Sequence, residues 1–156
     1  MEYAKYSLGF QGSEIQKRGV IVKATFSIKG FSDLIEELAK KKKDVEPIAR
    51  RALQESADIT QQAINNAAAV HNASGEMIAA EITPAVETID RYSMRVRVGF
   101  NNNGAGGLHA IFLNYGTPKR KTHGTVDATH FFDEAIKSTA GKRRAIQKQI
   151  IKDVAK

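Results

Sequence analysis

The chain contains no cysteine. That excludes a disulfide framework, a thiolate metal site and a cysteine nucleophile, and it fits a reducing compartment. No apolar run approaches the roughly 18 residues of a membrane-spanning helix, and no long apolar stretch follows Met1-Glu2-Tyr3. The expectation is a soluble protein with no membrane attachment and no address. The usual catalytic signatures are also missing. There is no Gly-x-Ser-x-Gly elbow, and the glycine-rich stretch 101–107 (NNNGAGG) lacks both the lysine and serine of a phosphate loop and the Gly-x-Gly-x-x-Gly spacing. The four histidines, His71, His109, His123 and His130, show neither His-Glu-x-x-His nor His-x-His spacing, although His123 and His130 flank Asp127. His109, just ahead of an apolar segment, reads as a packed or capping residue. Asp133-Glu134 opens a helix, where the helix dipole alone accounts for two carboxylates. The chain is therefore expected to be no enzyme and to hold no metal or cofactor.

What is present is a globular chain with a lopsided charge. Its 156 residues, 42% of them hydrophobic, suffice for one ordinary domain with a core and argue against general disorder. The formal net charge is +7. From residue 119 onward there are ten Lys/Arg against four Asp/Glu, so nearly all of the excess sits in the last quarter. Such asymmetry points to a polyanion or an acidic protein surface nearby. The bland alternative is a solvated helix face and a polar loop.

Residues 1–18 have scattered aromatics without a period and read as a mobile arm, leaving 19–156 as a single domain. Residues 19–28 (GVIVKATFSI) alternate apolar and polar and predict a half-buried strand. A short helix is expected over 31–43, with Asp33 and Glu36 at capping-box spacing and four lysines at its end. Asp44 and Pro47 open a longer helix to about Val70, with Pro47 in the first turn where its missing N–H costs nothing. Its stripe is Val45, Ala49, Ala52, Ile59, Ala63, Ala67 and Val70, widened by Ile48, Leu53 and Ile64. Two strands follow, 77–83 and 92–100, joined through 84–90. In the second, Tyr92, Met94, Val96, Val98 and Phe100 alternate with Ser93, Arg95, Arg97 and Gly99, giving one apolar and one basic face.

An apolar run, 108–113, must stop at Tyr115-Gly116-Thr117-Pro118, because Gly116 takes positive φ freely and Pro118 cannot continue a helix. A polar loop then runs to about Ala128 and carries Lys119, Arg120, Lys121 and His123. Loops of this length inside compact domains are usually functional or disordered. Thr129 or Asp127 can cap a C-terminal helix marked by Phe132, Ile136, Ile146, Ile150 and Val154. Gly141 either bends this helix or divides it in two, just before Lys142-Arg143-Arg144. Lys148, Lys152 and Lys156 make a basic stripe at steps of four. The whole predicts an α+β fold: a small antiparallel sheet packed against a long helix, with a C-terminal helix and a long flexible loop.

Residues 110–117 (AIFLNYGT) and 130–136 (HFFDEAI), with the upstream 74–78 (SGEMI) after a long helix, resemble the head–tail joining proteins of long-tailed bacteriophages, also described as tail-completion, neck or minor tail components. The likeness in element order covers about residue 30 to the C-terminus. Three departures stand out: Asn114 lies near the place of a usual acidic residue, the loop after Gly116-Thr117 is long, and Thr129-His130 replaces a proline before the aromatic pair. The resemblance implies a structural virion protein at the junction of capsid and tail, assembled from host-cell cytoplasm into a ring, with six copies expected, through which DNA passes. It implies monomers before assembly and other neck and tail proteins as partners. In that picture Lys119, Arg120, Lys121 and His123 on the loop, Arg95 and Arg97 on the sheet, and Lys142, Arg143 and Arg144 on the last helix face partner proteins or DNA, while Tyr115, Gly116, Thr117 and Pro118 are the hinge of the loop. A loop that orders only on assembly would keep monomers from polymerising early, since only the correct partner offsets the ordering entropy. The rival expectation is a basic nucleic-acid-binding module working outside a virion, although no helix-turn-helix, RNP or zinc-finger pattern is present.

Overall fold

The computed structural model describes residues 10–11, 23–28, 44–71, 75–90, 93–101, 104–117 and 124–155. The elements run β1 (Phe10–Gln11), β2 (Lys23–Ile28), α1 (Val45–Ala69), α2 (Glu76–Ala79), β3 (Glu87–Asp90), β4 (Ser93–Gly99), α3 (Ala105–Tyr115) and α4 (Phe131–Ala155). The fold is α+β. Four strands form one antiparallel sheet in the order β1-β2-β4-β3, with α1 packed on β4 and α4 packed along α1.

The strict alternation of β4 places it in the middle of the sheet. Met94, Val96, Val98 and Phe100 are buried, and Arg95 and Arg97 face outward between them. Each such buried side chain contributes roughly 1.5–3 kcal/mol relative to exposure. β2 pairs with β4 from Lys23↔Gly99 to Ile28↔Met94, and β3 returns as a hairpin with Glu87↔Arg95 and an irregularity between Thr88 and Asp90.

Helix α1 begins where the sequence indicates. The Asp44 side chain accepts a hydrogen bond from the Glu46 backbone N–H at 3.1 Å, and Pro47 occupies the first turn. Its buried arc is narrower in hydrophobicity than expected. Ala49, Leu53, Ala57, Ile64 and Ala68 lie in the core beside three buried polar residues, Ser56, Thr60 and Gln61. Val70, predicted to close the apolar stripe, is 82% exposed, and Val45 and Ile59 are half-buried. Gln61 explains its own burial. It accepts from the Gly99 N–H at 2.7 Å and donates to the Gly99 carbonyl at 3.3 Å, so its amide stands in for a neighbouring strand.

Four expectations need correction. The stretch 77–83 is not a strand: Glu76–Ala79 is one helical turn after Gly75 in the left-handed region, and only Glu81 bridges to Phe100. The connection 84–90 contains β3, which shows no alternation because all four of its residues are exposed at a sheet edge. The last three residues of the glycine-rich stretch, 105–107, and the apolar run 108–113 belong to one helix, α3, with Gly106 and Gly107 buried inside it. Phe10–Gln11, expected within a mobile arm, pairs with the end of β2 through Phe10↔Ile28. The predicted helix 31–43, with its lysine run, lies outside the described residues, as does the rest of the arm.

The C-terminal helix neither divides nor stops at Gly141, since α4 is continuous from Phe131 to Ala155. Gly141 is exposed, and a Cβ there would meet nothing within 4 Å. Glycine costs about 1 kcal/mol relative to alanine inside a helix. Gly141→Ala is therefore expected to stabilise the protein by up to about 1 kcal/mol, read as a higher urea midpoint at unchanged m-value.

Candidate functional site

The junction of α3 and α4 brings residues 110–117 and 130–136 together. Helix α3 ends when Gly116, at φ 75°, sends its N–H back to the Phe112 carbonyl at 2.7 Å. A Cβ on Gly116 would press on the Val126 carbonyl and on Ala128, so both backbone angle and close approach demand glycine. The loop is then clamped at its base. The Thr117 N–H donates to the Val126 carbonyl, and the Val126 N–H donates to Thr117 Oγ1, each at 2.9 Å. Further on, the Thr129 N–H and hydroxyl both donate to the Leu113 carbonyl, and the His130 N–H donates to the Asn114 carbonyl. His130 itself sits at φ 52°, a left-handed conformation that costs a residue with a Cβ about 1 kcal/mol or more.

The cap of α4 does not come from Thr129 or Asp127. It comes from Asn114, fully buried on α3, whose Oδ1 accepts from the Phe132 N–H at 3.0 Å. Thr129 spends its hydroxyl on Leu113, and Asp127 is exposed. The Asn114 Nδ2 lies 3.4 Å from Asp133 Oδ2, and His130 Nδ1 lies 3.8 Å from the same oxygen. The second oxygen of Asp133 is buried without a hydrogen-bond partner, at a helix start where the dipole favours its charge. Burial, and then the Asp133 carboxylate, push the Tyr115 phenol above its ordinary range. Phe131 and Phe132 behind the cap are buried, with Phe131 edge-on to Phe100 at 6.3 Å.

The predicted contact residues divide. Pro118, Lys119, Arg120, Lys121 and His123 lie outside the described residues. Arg95 and Arg97 both reach Glu87 Oε2, at 2.7 and 3.4 Å, so the basic face of β4 is partly neutralised by β3. The Arg95 guanidinium holds the Glu87 carboxyl below its ordinary range. A carboxylate with a depressed folded-state pKa contributes stability that is present above its unfolded value and lost as pH falls through the lowered one. Glu87→Gln should thus flatten part of the acid limb of a stability–pH curve and leave the neutral-to-alkaline limb in shape.

Lys142 and Arg144 are exposed, but Arg143 is not an outward contact residue. It is 8% exposed, and its Nη1 donates to Thr139 Oγ1, the Ile136 carbonyl and Thr60 Oγ1 at 2.6, 3.0 and 3.2 Å. Burial, then Arg144, lowers its pKa from the usual arginine range. Together with a 3.0 Å bond from Gln147 to Ser56 it forms a polar seam between α1 and α4. Helical phase contains the signal for this: residue 143 stands seven positions from both Ile136 and Ile150, on the buried face. His109, expected to be packed or capping, lies inside α3, about half-exposed and 3.3 Å from Glu76.

An open groove of about 430 Å³ lies between the end of α1 and the start of α4, lined by Ala63, Ala67, His71, Phe131, Glu134 and Ser138 among others. Among the described residues no group of three or more His, Asp or Glu is placed to hold a metal. No described helix is long and apolar enough to cross a membrane. No protein-family model, curated protein or solved structure matches the chain.

Proposed function

We propose that this chain is a structural, non-enzymatic component of a tailed-phage head–tail junction, acting in the virion as one subunit of a ring that joins or completes the tail. The observation that carries the reading is the clamped loop base. Asn114, Thr117, Val126, Thr129 and His130 tie the two ends of the loop to each other and to the α3–α4 corner. A loop held on so firm a base suits a reach toward a neighbouring subunit or neck protein, since its anchoring entropy is spent within the monomer. The reading draws also on the element order: a long helix on a small antiparallel sheet, a short helix ending in Gly-Thr, a loop, and an aromatic-led C-terminal helix.

The outer side of α3 adds an apolar strip. Leu108, Phe112 and Tyr115 are each roughly two-fifths exposed or more and recur at helical spacing, as a surface that packs only in an assembly would. The rival reading, a nucleic-acid-binding module outside a virion, draws on the surplus cations of α4. Quantitative mass spectrometry of purified particles of the phage that carries the chain separates the two. The junction reading expects a fixed copy number per particle, and expects that removing residues 119–123 leaves a folded monomer unable to join heads to tails. A chain absent from particles, or joining unimpaired by the deletion, would sink it.

A further inference from the structure

The arginines of α1 and β4 are matched to carboxylates: Arg50 to Glu46, Arg51 to Glu55, and Arg95 and Arg97 to Glu87. The outer face of α4 is built differently. Lys137, Arg144, Lys148 and Lys152 are all exposed, and no carboxylate among the described residues lies within ion-pair distance of any of them. Their spacing of seven, four and four residues keeps them within a narrow sector of the helix, directly opposite the buried Phe132, Ile136, Thr139, Arg143 and Ile150. They form a line about 22 Å long, with steps of about 10, 6 and 6 Å. Gly141 and Ala145, both exposed, lie between them on this face and leave the helix backbone open to close approach there.

We propose that this stripe is a sequence-independent contact for the phosphate backbone of duplex DNA. Its composition separates it from a protein interface, whose buried centre is enriched in aromatic side chains and depleted in lysine. The stripe has no aromatic residue and is mostly lysine, which meets phosphate as a point charge without requiring a planar, bidentate partner. Duplex DNA offers one negative charge per roughly 1.7 Å of axis, so every cation along the line has a phosphate within reach. A single line of cations carries no Asn, Gln, Asp or Glu to complement a base pattern, and its charges meet the phosphates, so binding carries no sequence preference. Arg143, turned inward, and Arg95 and Arg97, matched by Glu87, take no part. As a lumen contact the stripe rests on the junction reading. As a property of α4 it is tested on the purified chain alone, so its failure leaves head–tail joining standing, and failure of joining leaves it untouched.

The test is fluorescence anisotropy of the full chain with short duplexes of two unrelated sequences across a salt series. The four-fold variant Lys137→Gln, Arg144→Gln, Lys148→Gln, Lys152→Gln is compared after circular dichroism shows its helix content intact. The parent chain should bind both duplexes equally and lose roughly a hundredfold in affinity between about 50 and 200 mM salt through these contacts. The variant should bind at least tenfold more weakly at low salt, with a log–log salt slope shallower by about 3 to 4. Arg95→Gln with Arg97→Gln should keep the parental affinity. The proposal is overturned by a parent chain that does not bind, by a four-fold variant with parental affinity and slope, by loss of binding in the Arg95/Arg97 variant instead, or by polyglutamate competing as well as DNA. That last result would assign the stripe to an acidic protein.

Discussion

Gly106→Ala is expected to destabilise the chain by about 3 kcal/mol, the upper end for overpacking a filled site. A Cβ at this position falls on the backbone carbonyl of Glu76 and within 3.0 Å of the Ala80 side chain. Neither neighbour can rotate away, because the carbonyl belongs to the single turn of α2 and itself accepts from the Ala80 N–H. Alanine would gain about 1 kcal/mol of helix propensity over glycine, and the steric cost outweighs that gain. The same substitution at Gly141 has the opposite expected sign, since open space surrounds it. Urea unfolding of the two variants side by side decides the matter. Equal shifts of one sign would mean that α2 and α3 do not approach so closely. Hydrogen exchange should locate the Gly106→Ala damage at 76–80 and 104–110, leaving β4 protected.

Asn114→Ala should cost a similar amount, about 3 kcal/mol, assembled from the lost cap and the buried Phe132 N–H left without an acceptor. The side chain it removes is fully buried and joins α3 to α4 across eighteen positions of sequence. The expected signature is local as well as global: faster exchange of the Phe132 amide, and release of the loop base, since His130 and Thr129 hang on the same end of α3. A variant with parental stability and parental Phe132 exchange would remove the cap from the account. Asn114→Asp keeps the acceptor but sets a second carboxylate beside Asp133. Its folded-state pKa would be raised, so its stability should improve as pH falls, opposite in sign to the contribution of Glu87.

The sequence by itself determined the elements whose cause is local. The alternation at Met94, Val96, Val98 and Phe100 has period two, and period two on a half-buried surface means a strand. Asp44 and Pro47 start α1 because a cap and a fixed φ act within one turn. Gly116 ends α3 for an equally local reason. From these the α+β class followed.

Only the tertiary structure decided the rest. β3 is a strand because β4 offers it a hydrogen-bonding edge, and an edge strand exposed on both faces leaves no periodic trace. α2 is a single turn and α3 is short with two glycines inside it, and they pack together because Gly106 lets one backbone settle on the other. The cap of α4 is Asn114 rather than Thr129 or Asp127, because hydrogen-bond reach is set by distance in space and not along the chain. Arg143 turned inward while Arg144 stayed out, although both are arginines in one basic run. Helical phase fixed their directions, and the hydroxyls of Thr60 and Thr139 on facing helices supplied the acceptors that make the burial of one of them tolerable.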